Sequence, residues 1–206
     1  MREQRARIAP AVAAAVLLGA PPSLPAQHPP PLTGPALAIQ GGFSVVVPSE
    51  TGELEWQIAY GAGFEYALSH RVVLSAGLDH FGIENFAGRF GFTRVVLQPM
   101  LFSGGGNNPR LFAGLRVGHG WKSSRDAAVF LGSTTATGPT IGAIAGSRSY
   151  LARTVAIEAA VVGDVGWFGD FVADGLAVYG TAGTATSLLF RVGVVLSLRG
   201  ERTTSQ

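Results

Sequence analysis

The chain has 206 residues, enough for one domain with a sizeable core. Only 14% of them are charged against 47% hydrophobic, glycine is abundant at 29, and cysteine is absent. That composition excludes disulfides, thiol nucleophiles and thiolate metal sites, and it sits badly with the charged exterior of a soluble enzyme. The formal charge of +2 comes from the first seven residues, where Arg2, Arg5 and Arg7 outweigh Glu3. The balanced remainder, with Lys122 as its single lysine, offers no basic stripe for nucleic acid.

Met1 to Arg7 form a positive segment, Ile8 to Ala20 an apolar alanine-rich one, and Pro21 to Ala26 a helix-breaking stretch ending on a small residue. This is the layout of a cleavable signal peptide over residues 1–26. Residues 27–35 (QHPPPLTGP) are expected to be a proline-rich linker, because proline has no N–H to give a sheet.

From Ala36 onward the dominant signal has period two. In Trp56–Leu68 one face carries Trp56, Ile58, Tyr60, Ala62, Phe64, Tyr66 and Leu68; the other carries Gln57, Ala59, Gly61, Gly63, Glu65 and Ala67. Successive strand side chains point to opposite faces, so this is a strand with one large apolar face and one small, partly polar face. Ser187–Leu198 repeats the pattern. Leu37–Val47, Val72–Phe81, Arg89–Phe102, Leu111–Trp121, Gly138–Ser147 and Val155–Gly163 complete about eight strands of bilayer-crossing length. Arg94 and Pro99 disturb either choice of face in Arg89–Phe102, and a bulge is expected there. Connections are expected to alternate between short turns and the longer Pro48–Glu55, Gly82–Gly88, Lys122–Ala136 and Asp164–Ala185.

Alternation alone also fits a soluble lipocalin-like carrier with an apolar cavity. The face of Gly, Ala and Ser would make a poor soluble exterior, and the large apolar face would overfill a small lumen, so the large face is expected to meet lipid. Aromatics are expected to girdle it: Trp56, Phe81, Phe90 and Trp121 at one end, Tyr66, Phe102 and Tyr150 at the other. The predicted fold is all-β, a single closed antiparallel up-and-down transmembrane barrel over residues 36–198, followed by a polar tail at 199–206.

The run LEWQIAYGAGFEYALSHRVVLSAGLD, the segment PRLFAGLRVGHGW and the final LLFRVGVVLSL strand resemble the small outer-membrane barrels related to the OmpA membrane domain and OmpX. The resemblance implies location in an outer membrane, in contact with its lipid and lipopolysaccharide. It departs from the family pattern in ending on Arg199–Gln206 rather than on a terminal aromatic.

Glu65, Asp79, Arg116, Glu158 and Arg191 fall on the predicted inner face. Small barrels are filled by side chains, and buried charges must pair. Arg116 and Arg191 are therefore expected to bridge Glu65 and Glu158, with Asp79 nearer the outer end. The network is read as a plug, with an ion-conducting channel gated by these pairs as the alternative that the resemblance suggests. A lipid-modifying enzyme is a third reading, drawing on His80, or on His119 with Ser123, Ser124 and Asp126. By parity His119 shares the lipid face with Leu115 and Val117, a setting that needs no catalysis. No cofactor or metal site is expected. The last connection is apolar, and Asp174-Gly175 between short hydrophobic runs marks a hairpin. Its Trp167, Phe168, Phe171 and Tyr179 are read as a surface for a protein partner. The function expected is structural or surface-interaction, not enzymatic.

Overall fold

The computed structural model describes residues 34–48, 55–85, 88–104, 109–126, 134–173, 176–178 and 183–198. The signal peptide, residues 27–33 of the expected linker and the tail lie outside them. Gly34 and Pro35, expected as linker, instead open the first strand, opposite Ala67 and Tyr66, because the Pro35 carbonyl can still accept from the Leu198 N–H (2.9 Å). Eight long strands carry the alternation: β1 (Gly34–Pro48), β2 (Glu55–Ala67), β3 (Val72–Asn85), β4 (Gly88–Phe102), β5 (Arg110–Asp126), β6 (Thr134–Tyr150), β7 (Val155–Phe168) and β10 (Gly183–Ser197). The short β8 (Phe171–Ala173) and β9 (Leu176–Val178) form a hairpin between the last two. Each long strand pairs antiparallel with its neighbours, and β10 pairs with β1, so the sheet closes.

Following directly opposed residues from Leu37 leads through Phe64, Ala76, Leu97, Val117, Ile141, Val165 and Thr186 back to β1 at Val47, ten residues further on. That stagger fixes the strand tilt: each step around the barrel climbs about 1.25 residues. Trp56 lies one step beyond Val45 and Trp121 four steps beyond Gly41, while Trp167 adjoins Gly166, two steps before Pro48. All three tryptophans thus come out within about one residue of the level of Val46. They are 52%, 39% and 47% exposed and form a ring at the end of the long connections. Tyr66 sits about ten residues lower, roughly 25 Å at 3.3 Å per residue and a 40° tilt. Between these levels most outward side chains are apolar, among them Ile39, Phe64, Leu97, Leu115, Ile141 and Val192, with His80, Thr93 and His119 as polar positions just below the ring.

Four expectations need correction. The strands run further than the alternation of large residues suggested: β3 reaches Asn85, β5 Asp126 and β7 Phe168, so parts of three expected loops are wall. No bulge interrupts β4. Its register with β3 is unbroken, and Leu97↔Val117 and Met100↔Gly114 keep one offset across Pro99. Pro99 points outward and withholds only its ladder hydrogen bond, while Arg94 points inward to waiting carboxylates. Phe81, Phe102 and Tyr150 point into the lumen instead of joining a girdle, whereas Trp167 does join one. The Phe90 side chain lies outside the described residues.

The described short turns close locally. At Leu68–Val72 the Ser69 hydroxyl accepts hydrogen bonds from the N–H groups of Arg71 (3.2 Å) and Val72 (3.1 Å). Beyond β7 the pairing with β6 shifts by one residue, from Thr140↔Gly166 to Thr135↔Val172. This bulge, at which Gly169 donates to the Thr137 carbonyl, turns the line of β7 into β8.

Candidate functional site: the charged lumen

Inward positions bring ten polar or charged side chains of the upper and lower lumen into two groups. The upper group, towards the tryptophan ring, holds Asp79 and Asp164 with Arg94 and Arg116. Arg94 reaches Asp164 at 2.7 Å and Asp79 at 3.8 Å. Arg116 bonds Asp79 and lies 3.6 Å from Asp164. Each guanidinium therefore touches both carboxylates. Gln40 donates to Asp79 (3.0 Å), and Arg94 donates to the Ser187 hydroxyl (3.1 Å).

The lower group holds Glu65 and Glu158 with Arg148 and Arg191. Arg148 bonds Glu65 through Nη1 and Nη2 (both 2.9 Å) and Glu158 through Nε (3.1 Å) and Nη2 (2.5 Å). Arg191 donates to the other Glu158 oxygen at 3.1 Å. Both groups hold two acids and two arginines, so each is neutral when ionised, the condition for keeping charge out of water.

Aromatic rings close both ends. Above the upper group Phe81 stacks on Phe92 (5.3 Å between centroids), Phe168 meets Phe92 edge-on (5.1 Å), and the Arg94 guanidinium lies 4.6 Å from the Phe81 ring centre. Below the lower group Phe102 and Phe112 pack together (5.1 Å), with Arg148 over Phe102 at 4.9 Å. Arg110 caps this end, donating to the carbonyls of His70 and Ser103 at 2.7 Å. Two cavities of about 10 Å³, one by each lid, have room for roughly one water molecule apiece.

All five predicted lumen residues are buried, but the wiring differs from expectation. Arg116 serves Asp79 and Asp164 and bonds neither glutamate; the bridge between Glu65 and Glu158 is Arg148. Sequence reasoning missed Arg94, Arg148 and Asp164. Strand parity carried a signal for two of them: Glu158, Ala160, Val162, Asp164, Gly166 and Phe168 continue one inward row, and Ile144, Gly146 and Arg148 another. Gly142 makes room for the upper group, since a Cβ there would lie 2.0 Å from Asp164 Oδ1.

Of the residues assigned to a surface hairpin, Trp167 points outward from β7. Phe168, 6% exposed, belongs to the upper lid because β7 continues through it. Phe171 begins β8, its side chain outside the described residues, as are Asp174, Gly175 and Tyr179. His119 points outward and packs edge-on against Trp121 (5.1 Å). Four residues along the same strand from Ser123, it stands roughly 13 Å from that hydroxyl at 3.3 Å per residue, too far to activate it. Ser123 instead donates to the Gly91 carbonyl at 3.3 Å.

A closed eight-stranded antiparallel barrel, apolar outside and charged within, is the fold of the small outer-membrane barrels. Among solved structures it is similar to Neisserial surface protein A (NspA), with TM-score 0.67 and 10% identity over 81% of this chain and 98% of that one. It is also similar to Ail, the attachment invasion locus protein of Yersinia pestis, with TM-score 0.52 and 13% identity over 80% of this chain and 100% of that one. Ail in complex with the heparin analogue sucrose octasulfate matches with TM-score 0.50 and 14% identity, over 80% and 100% of the two chains. No family model and no curated protein matches the chain.

Proposed function

We propose that the chain is a structural or surface-interaction protein of an outer membrane, exported behind residues 1–26, with a lumen sealed by its two ion clusters. The observation that carries this reading is the filling of the lumen: two neutral clusters of buried acids and arginines, each backed by an aromatic lid, beside cavities of about one water. The apolar band of roughly 25 Å between Tyr66 and the tryptophan ring supports the membrane setting. The surface role rests on the hairpin β8–β9, which continues the wall beyond the ring and offers β9 as a strand edge to a protein partner. The 13 Å gap between His119 and Ser123 argues against a lipid-modifying enzyme built on that pair.

A channel is the second reading, favoured by one feature: Arg94 and Arg116 each lie within 4 Å of both aspartates, so partners can be exchanged over short distances. Single-channel recordings of the wild type, Glu65→Gln and Arg116→Ala separate the two. The plug predicts a silent wild type. Stepwise wild-type openings whose size or frequency changes in the variants would establish the channel instead.

A further inference from the structure

On the outward wall, β3 and β4 place Gly82 directly opposite Gly91. One row below, His80 lies opposite Thr93, and the imidazole Nδ1 is 2.8 Å from the Thr93 hydroxyl. Tyr60 stacks on the imidazole at 5.0 Å with its rings tilted by 42°. On the far side Ser123 lies opposite Gly91 and bonds its carbonyl. The two glycines leave bare backbone amid these groups. A Cβ added at Gly91 would stand 3.2 Å from the Ser123 hydroxyl and 3.5 Å from His80 Cε1, so both polar side chains flank the bare Gly91 backbone at contact distance.

The level of this notch decides what it meets. The His80–Thr93 row is the first polar row above Leu78 and Val95, and Trp121, opposite Thr93, belongs to the tryptophan ring. Rings of tryptophan mark the boundary between hydrocarbon and headgroups. The notch therefore combines four hydrogen-bonding side chains (Tyr60, His80, Thr93 and Ser123) with an apolar floor below, at headgroup depth. The Tyr60 and Thr93 hydroxyls and the imidazole suit an oxygen-rich acceptor, the Ser123 proton being held by the Gly91 carbonyl, and Leu78, Val95 and Val117 give acyl chains a wall to follow.

We propose that this notch seats the phosphate-bearing headgroup of a membrane lipid, with the His80–Thr93 pair as its main contact. The inference rests on the membrane reading above and deepens it by naming a lipid contact and its place. A hydroxyl locked to an imidazole is oriented before the lipid arrives, which lowers the ordering cost of binding.

Trp121 beside the notch serves as the reporter. With Trp56→Phe and Trp167→Phe it is the sole tryptophan, and its quenching is compared in vesicles containing brominated phosphatidylglycerol or brominated diacylglycerol, which lacks the phosphate. A reporter retaining only Trp167, at the same level on β7, controls for long-range charge. The expected result is a preference of about tenfold for the phosphate-bearing lipid at Trp121, what one hydrogen bond to a charged group supplies. No such preference is expected at Trp167. His80→Ala and Thr93→Val should abolish it, and Gly91→Leu should do so by filling the notch without removing a polar group. Equal quenching by both lipids at Trp121, in a protein that still migrates as a compact, heat-modifiable barrel, overturns the headgroup site alone. A protein that forms no such barrel in detergent overturns the membrane reading and this inference together.

Discussion

The upper and lower clusters hold the same charges and are built differently. In the lower one a single guanidinium, Arg148, is saturated by two glutamates and covered by the Phe102 ring, with Arg191 attached to one side. In the upper one two guanidiniums share two aspartates, and half of the four contacts are at 3.6–3.8 Å rather than hydrogen-bond distance. Charge neutrality is therefore not the whole of a seal. Hydrogen-bond geometry separates a rigid clamp from an arrangement with several near-equivalent pairings. The lower cluster should dominate stability, and the upper one should respond to small changes in space.

The sharpest way to break this contrast is to remove Arg148. Arg148→Ala strands two buried glutamates and should cost about 3–5 kcal/mol, read as a fall in the urea midpoint of the detergent-folded barrel. Arg116→Ala should cost less, because Arg94 and Gln40 still reach Asp79. Equal losses in the two variants would erase the difference between the clusters. Gly142→Ala tests the upper cluster by volume instead of charge. Its Cβ would stand 2.0 Å from Asp164 Oδ1 and 2.3 Å from the Gly163 carbonyl oxygen, so it must displace the carboxylate and push on the β7 backbone, for a loss of about 1–3 kcal/mol. If the midpoint does not move, the aspartate is freer than its contacts imply. The smallest effect belongs outside both clusters: Ser69→Ala removes an acceptor for two turn N–H groups and should cost about 1 kcal/mol with no change in ion flux.

The same contrast explains what was legible beforehand. The two faces of β2 and β10 could be read because large apolar residues alternate with small ones there without interruption. The lower cluster was half legible: Glu65, Glu158 and Arg191 lie inside strongly alternating runs, but Arg148 sits where the outward row turns to serine and looks like the start of a turn. Asp164 was hidden for a related reason. Outward Gly163 and Val165 are too small to sustain the signal, and the outward row resumes only at Trp167. Arg94 read as a disturbance because its closer partner, Asp164, lies across the lumen on β7, although Asp79 stands directly opposite it on neighbouring β3. Pairing across a lumen depends on the ten-residue stagger, which no local pattern encodes. One part of the upper lid was hidden for the same reason: Phe81 and Phe92 are opposed within the β3–β4 hairpin, but Phe168 joins them from β7 only once the barrel closes.

Because the chain contains no cysteine, one introduced thiol reports its own surroundings. The most direct test of the central claim is labelling of Ser187→Cys, beside Arg94 in the lumen, and Val117→Cys, on the outward wall, by a charged water-soluble maleimide in intact vesicles. A sealed lumen and a lipid-facing wall predict that both thiols stay unlabelled, while an apolar maleimide dissolved in the bilayer reaches Val117→Cys only. Rapid charged labelling at Ser187→Cys would mean a water-filled lumen, and at Val117→Cys an outer wall that faces water; either result would contradict the account.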